Sequence, residues 1–178
     1  RVISFDEWKI YVESRLHIEN SQIVNSSGLG VQVKDRSIAN FNKCIFKNSK
    51  LSQLFISDES IASIKECTIK NGLQIGLFVE NDSNCTIVQS TISHHPNTAI
   101  TICDAELIIL ESKIKHNAGN GILAIQQATV QADLCEFKDN KMPHIAGKEQ
   151  TSLTVLNSIF EGGKSIYLLE QSHGQITT

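Results

Sequence analysis

At 178 residues, with 40% hydrophobic residues, 20% charged residues and a net charge of -3, the chain has the length and apolar content of one well-packed domain. This balance excludes an intrinsically disordered chain and a strongly basic nucleic-acid binder, so no nucleic-acid partner is expected. The longest apolar runs span only a few residues, which excludes a membrane-spanning helix, and no signal peptide is recognisable.

Only two prolines and few aromatics, set among abundant Ile, Ser and Asn, suit short strands joined by polar turns. In chain order, the first predicted strand carries Trp8 and Ile10, the next Leu16 and Ile18, the next Ile23, and the next Val31 and Val33. Apolar residues alternate with polar ones in each. The same unit then returns. Counted from Ile23, equivalent anchors fall at Phe46, Ile69, Ile92, Ile114, Phe137 and Phe160, in steps of 23, 23, 23, 22, 23 and 23 residues.

The neighbourhood of the anchor repeats with it. Five residues earlier stand Ile18, Phe41, Ile64, Ile87, Ile109, Ala132 and Val155. Two residues earlier come small residues, among them Cys44, Cys67, Ser90 and Cys135. Eight and ten residues later come pairs such as Leu54 and Ile56, Leu77 and Val79, and Ile100 and Ile102. One such unit cannot bury its own apolar face. Stacking the units closes a continuous core and pairs each strand with its equivalents above and below, ~4.8 Å apart. The spacing therefore predicts an all-β parallel β-helix solenoid of about seven coils of 22–23 residues, three strands per coil, forming a single domain over residues 1–178.

Two residues after the anchor lies a polar row, Asn25, Asn48, Asn71, His94, His116, Asp139 and Gly162. Asparagine suits left-handed turns, and stacked asparagines can bond one another along the axis. At the ends, Trp8 and Ile10 fit positions eight and ten after a missing anchor. Ile176 and Thr178 fall where the next coil's first strand would begin. Both ends are thus expected in mid-coil, as in a segment of a longer polypeptide. Ile166 and Leu168 fit the strand after the last anchor only if the intervening turn is two residues shorter.

Segments such as LHIENSQIVNSSGLGVQV, IKECTIKNGLQIGLFV and IILESKIKHNAGNGILAI resemble right-handed parallel β-helix repeats of the pectate-lyase-like superfamily. The likeness is to the repeats of carbohydrate-binding proteins, sugar hydrolases and some intracellular adaptors, and it covers about residues 8–165. Right-handedness is what this resemblance implies. It is specific for fold and weak for function, since one fold hosts many activities.

No residue is assigned to catalysis. Adjacent Asp-Asp, Gly-His-Gly and Arg-Ile-Lys motifs are absent, and arginine occurs only at Arg1, Arg15 and Arg36. Asp35, Asp58 and Asp104 share a turn row with Asn81 between them, and Asp82 lies nearby. Their expected role is turn formation. The cysteines Cys44, Cys67, Cys85, Cys103 and Cys135 form no CxxC pair, so neither zinc nor another cofactor is expected. Mostly free thiols point to a reducing, cytoplasmic compartment.

Three exterior features remain. His94, His116 and Asp139 form a vertical polar line, read chiefly as part of the turn ladder. Lys47, Lys70, Lys115 and Lys138 form a basic row one residue after the anchors, able to meet an anionic polymer, with Glu66, Glu111 and Glu136 near enough to neutralise much of it. Nine residues after the anchors, Gln32, Phe55, Phe78, Thr101, Leu123 and Ala146 point outward, flanked by Gly30, Gly76, Ala99 and Gly121, which keep that surface flat. Phe55, Phe78 and Leu123 are the partner-binding candidates. The chain thus reads first as a non-catalytic binding or scaffold module docking a protein partner or a neighbouring domain of the same chain. The alternative is a carbohydrate-binding or polysaccharide-degrading β-helix acting on acidic glycans.

Overall fold

A computed structural model describes residues 2–3 and 8–177. Within them the chain winds as a right-handed parallel β-solenoid with no helix. Three eight-stranded parallel sheets line its walls. In chain order the first sheet holds the anchor strands, beginning Val2–Ile3, Gln22–Val24 and Ile45–Lys47. The second begins Trp8–Ile10, Val31–Val33 and Leu54–Ile56. The third begins Arg15–Glu19, Ile38–Asn42 and Ile61–Lys65.

The register is the one the anchors predict. Ile23, Phe46, Ile69, Ile92, Ile114, Phe137 and Phe160 stack in a single column. The pairs before and after them, such as Phe41 on Ile64 and Leu77 on Ile100, are buried with almost no exposure. Dispersion and apolar burial therefore act along one continuous core, and each coil completes the one beneath it.

Turn chemistry sets the coil length. Asn25, Asn48, Asn71, His94, His116 and Asp139 all have φ between 51° and 63°, as the asparagine row predicts, and Asn48 Nδ2 donates to Asn25 Oδ1 at 3.0 Å. Between the second and third sheets most coils use two left-handed residues, for example Asp35–Arg36 and Gln126–Gln127. The fourth uses Asp104 without a second. That missing residue is the 22-residue step.

The ends correct two expectations. The anchor before Ile23 is not missing, because Ile3 pairs with Ile23, and this leading coil, ahead of those counted from Ile23, is shorter than they are. At the other end, Gly162 and Gly163, with φ of 61° and 76°, close a turn two residues shorter than its equivalents, so Ile166 stacks on Ile145 and Leu168 on Gly147. The shortening carries forward. Ile176 stacks on Val155 inside the third sheet rather than two positions earlier in its row. Thr178 lies outside the described residues.

The small residues two before the anchor have a reason beyond size. The Cys44 N–H donates to Cys67 Sγ (3.3 Å), Cys67 N–H to Ser90 Oγ (2.9 Å) and Ser90 N–H to Ser112 Oγ (3.1 Å). Each coil's side chain thus satisfies a buried backbone donor of its neighbour. Cysteine here stands in for serine, and all five cysteines are free.

Candidate functional site

On the outer face of the first sheet, Lys47 and Lys70 are direct neighbours, Ser93 follows, and Lys115 and Lys138 are direct neighbours again. The carboxylates expected to neutralise this row do so only at one end. Glu66 lies toward Lys43 (3.8 Å) and Lys65 (3.9 Å), and Glu111 accepts from Gln89 (2.9 Å). Glu136 pairs with Lys113 at 2.8 Å and Glu161 with Lys138 at 2.5 Å. The Lys113 ammonium holds the Glu136 carboxyl below its usual range, with Lys115 and Lys138 adding to the effect, and Glu161 holds the Lys138 ammonium above its own. Among the described residues Lys47, Lys70 and Lys115 make no ion pair. Beside them run the exposed side chains of Asn48, Asn71, His94 and His116.

The histidine line is real as a stack. The His94 and His116 rings lie 5.4 Å apart, and His116 Nδ1 is 3.5 Å from Asp139 Oδ2. No three His, Cys, Asp or Glu groups among the described residues converge as a cation cage. The aspartate row is tied into its turns: Asn81 donates to Asp58 (3.1 Å), Ser57 Oγ to the other Asp58 oxygen (3.2 Å), and Lys34 lies 3.6 Å from Asp35.

On the second sheet, Phe55, Phe78 and Leu123 project outward between fully buried neighbours, and the two phenylalanine rings meet edge to face at 5.5 Å. The flanking small residues, however, are not there to flatten the surface. They face inward. A Cβ on Gly30 would meet the Gln53 carbonyl oxygen at 2.3 Å, on Gly76 that of Ala99 at 2.6 Å, and on Gly121 that of His144 at 2.4 Å.

Sequence reasoning passed over the reason for that crowding, an interior polar seam three residues after each anchor: Ser26, Ser49, Gly72, His95, Asn117 and Asn140. His95, next to the exposed His94, is 1% exposed, and burial pushes its pKa down to about 4. Asn117 Oδ1 accepts from the His95 N–H (3.0 Å), and Asn117 Nδ2 donates to Asn140 Oδ1 (2.8 Å). Asn140 Nδ2 donates to the Ile114 carbonyl and to His144 Nδ1, both at 3.0 Å, which leaves His144 Nε2 as the donor to the Gly162 carbonyl. The signal was available as a complementarity of size. Gly72 and Gly76 share one coil, Gln53 lies in the coil before and His95 in the coil after.

Three in-register parallel sheets, apolar inside and carrying charged and aromatic rows outside, define a parallel β-helix protein. The chain belongs to the family described as the right-handed beta helix region, which matches residues 9–178. No curated protein matches the sequence significantly. Among solved structures, a mutant of the periplasmic alginate epimerase AlgG superposes with a TM-score of 0.78 at 14% identity, over 91% of this chain and 46% of the other. Pectate lyase Pel9A gives 0.69 at 11% identity, over 99% and 58%. The A-module of Azotobacter vinelandii mannuronan C-5 epimerase AlgE4 gives 0.64 at 11% identity, over 93% and 57%. The chain spans about half the length of these structures, and identity at this level establishes the shared fold alone.

Proposed function

We propose that this β-helix binds an acidic polysaccharide along the outer face of its first sheet. The observation that carries the reading is the row Lys47, Lys70 and Lys115, which makes no ion pair among the described residues and stands in register beside the exposed amides and imidazoles of Asn48, Asn71, His94 and His116. Ammonium groups repeating along the stack attract the carboxylates of a polyuronate, and the neighbouring amides hydrogen-bond its hydroxyls. The likeness to structures named as alginate epimerases and a pectate lyase supports an acidic glycan over other polyanions. A neutral glycan offers the lysines nothing and is expected to be ignored.

The test is a panel of immobilised glycans probed at low and high salt. Retention on polyuronates that falls as salt screens the charges supports the reading. Silence across uronates, or equal binding to neutral glycans, contradicts it. Docking of a protein partner concerns the second sheet, a different face.

A further inference from the structure

We propose that the outer face of the second sheet is the interface of a two-fold dimer of this chain, in which Phe55 of each copy seats over Ala146 of the other. The outward row runs Lys9, Gln32, Phe55, Phe78, Thr101, Leu123, Ala146 and Tyr167, one residue per coil. From Gln32 to Tyr167 it is self-complementary about Thr101, with Lys9 beyond the matched stretch. A two-fold axis along the Ile100–Cys103 strand sets the second coil against the sixth and the third against the fifth. Phe55 then faces Ala146, and Phe78 faces Leu123.

Ala146 is the floor of a recess. Its row neighbours Leu123 and Tyr167 rise on either side, and Asn120, Met142, Pro143 and Lys164 complete a cleft of about 400 Å³. The same axis brings Leu51 against Met142, which are 42% and 47% exposed in the single chain, and Gln32 against Tyr167, which is 56% exposed. Glu80 comes within one coil of Lys148 of the other copy, and Lys50 comes against Lys141, an exposed like-charge pair at the rim that salt screens. Seven coils at ~4.8 Å and seven residues at ~3.3 Å make a face of roughly 800 Å² per copy, the size of a standard stable interface. Phe78 beside the centre, with Phe55, Met142 and Tyr167 further out, fits the composition of such surfaces.

The axis also gives the proposal a direct readout. Cys103 lies on the axial strand, beside Thr101, and is the one cysteine of the five not buried. Two copies joined in this way hold their Cys103 thiols opposite each other.

The experiment combines sedimentation equilibrium of the 178-residue chain with a short bis-maleimide cross-linker. The expected result is a dimer at micromolar concentration and a covalent dimer joined at Cys103. Cys103→Ser loses the covalent product and keeps the mass. Ala146→Asp, which fills the recess from an outward position, raises the dissociation constant at least about tenfold, as loss of a central contact does. Leu51→Lys, in an exposed loop, gives the same direction without touching a strand, should the first variant fold poorly. A monomer at every concentration, a dimer indifferent to both variants, a dimer that does not join at Cys103, or a monomer holding a glycan on this face overturns the proposal.

Discussion

His95 occupies the space that Gly72 leaves empty: a Cβ on Gly72 would lie 3.1 Å from His95 Nδ1 and 3.0 Å from Gln53 Nε2. Gly76, in the same coil, is tighter, since its Cβ would meet the Ala99 carbonyl at 2.6 Å and His95 Nε2 at 2.8 Å. A side-chain end can swing aside, but a backbone carbonyl held in the stack cannot. Gly76→Ala is therefore expected to cost about 1–3 kcal/mol, and Gly72→Ala less. Urea unfolding of both variants checks the order, and equal midpoints would contradict it.

The same imidazole makes stability depend on pH. Burial, with smaller help from the neighbouring His94, holds the His95 pKa down to about 4, against ~6.5 for an unfolded histidine. Between those values the unfolded chain binds a proton that the folded chain refuses. Stability from this group is thus complete above about pH 6.5, declines as pH falls to about 4, and is level below. The loss is about 3 kcal/mol. His95→Asn, which copies the residue type of Asn117 and Asn140 in the same seam, should flatten that part of the profile. An unchanged slope in the variant would show that another group is responsible.

Asn117 is the seam's central link, satisfying the His95 N–H, the Lys115 carbonyl (3.1 Å) and Asn140 Oδ1 together. Asn117→Ala leaves the His95 N–H and the Lys115 carbonyl short of a partner, while Asn140 Oδ1 keeps the backbone N–H of residue 117 (3.2 Å). We expect a loss of about 2 kcal/mol, larger than that of an exposed strand asparagine such as Asn84→Ala, where the cost should stay below about 1 kcal/mol. Thermal unfolding of the two variants side by side gives the comparison.

Thiol reactivity should follow the ladders. Burial pushes the Cys85 thiol up to about 12 and Cys135 up to about 11, and Cys44 and Cys67 lie equally deep in the core. A disulfide reagent is expected to titrate one thiol, Cys103, in the native protein and five after denaturation in guanidinium. Burial and the nearby Glu80, Asp104 and Glu149 raise the Cys103 pKa too, so its reaction should be slow. A second fast-reacting native thiol would place another cysteine at the surface.

How far the sequence could be read depended on where shape is enforced by apolar contacts. The anchors from Ile23 to Phe137 are large, buried and regularly spaced, with Phe160 partly buried in step, and they exposed the fold, the coil number and the outward rows of Lys47 and Phe55. Ile3 was passed over because its coil is three residues short of the repeat, and Ile176 was displaced because Gly162–Gly163 removes two. His95 is hidden in the sequence for a different reason. Hydrophobic periodicity is blind to a polar seam inside the core, and an imidazole beside the exposed His94 looks like part of a turn. The smallness of Gly72 and Gly76 was the sign that something bulky lay opposite them.

The central claim, that an acidic polysaccharide lies on the first sheet, is tested most directly by titrating a uronate oligomer into three proteins. These are the wild type, a Lys47→Ala, Lys70→Ala, Lys115→Ala variant, and a control that removes three lysines elsewhere, Lys34→Ala, Lys141→Ala and Lys148→Ala. All three should unfold at similar temperatures, since each exposed charge contributes little to stability. The account predicts that the first variant loses at least about tenfold in affinity and most of its salt dependence, while the control stays within about twofold of wild type. Equal losses in both variants, or none in the first, would contradict it.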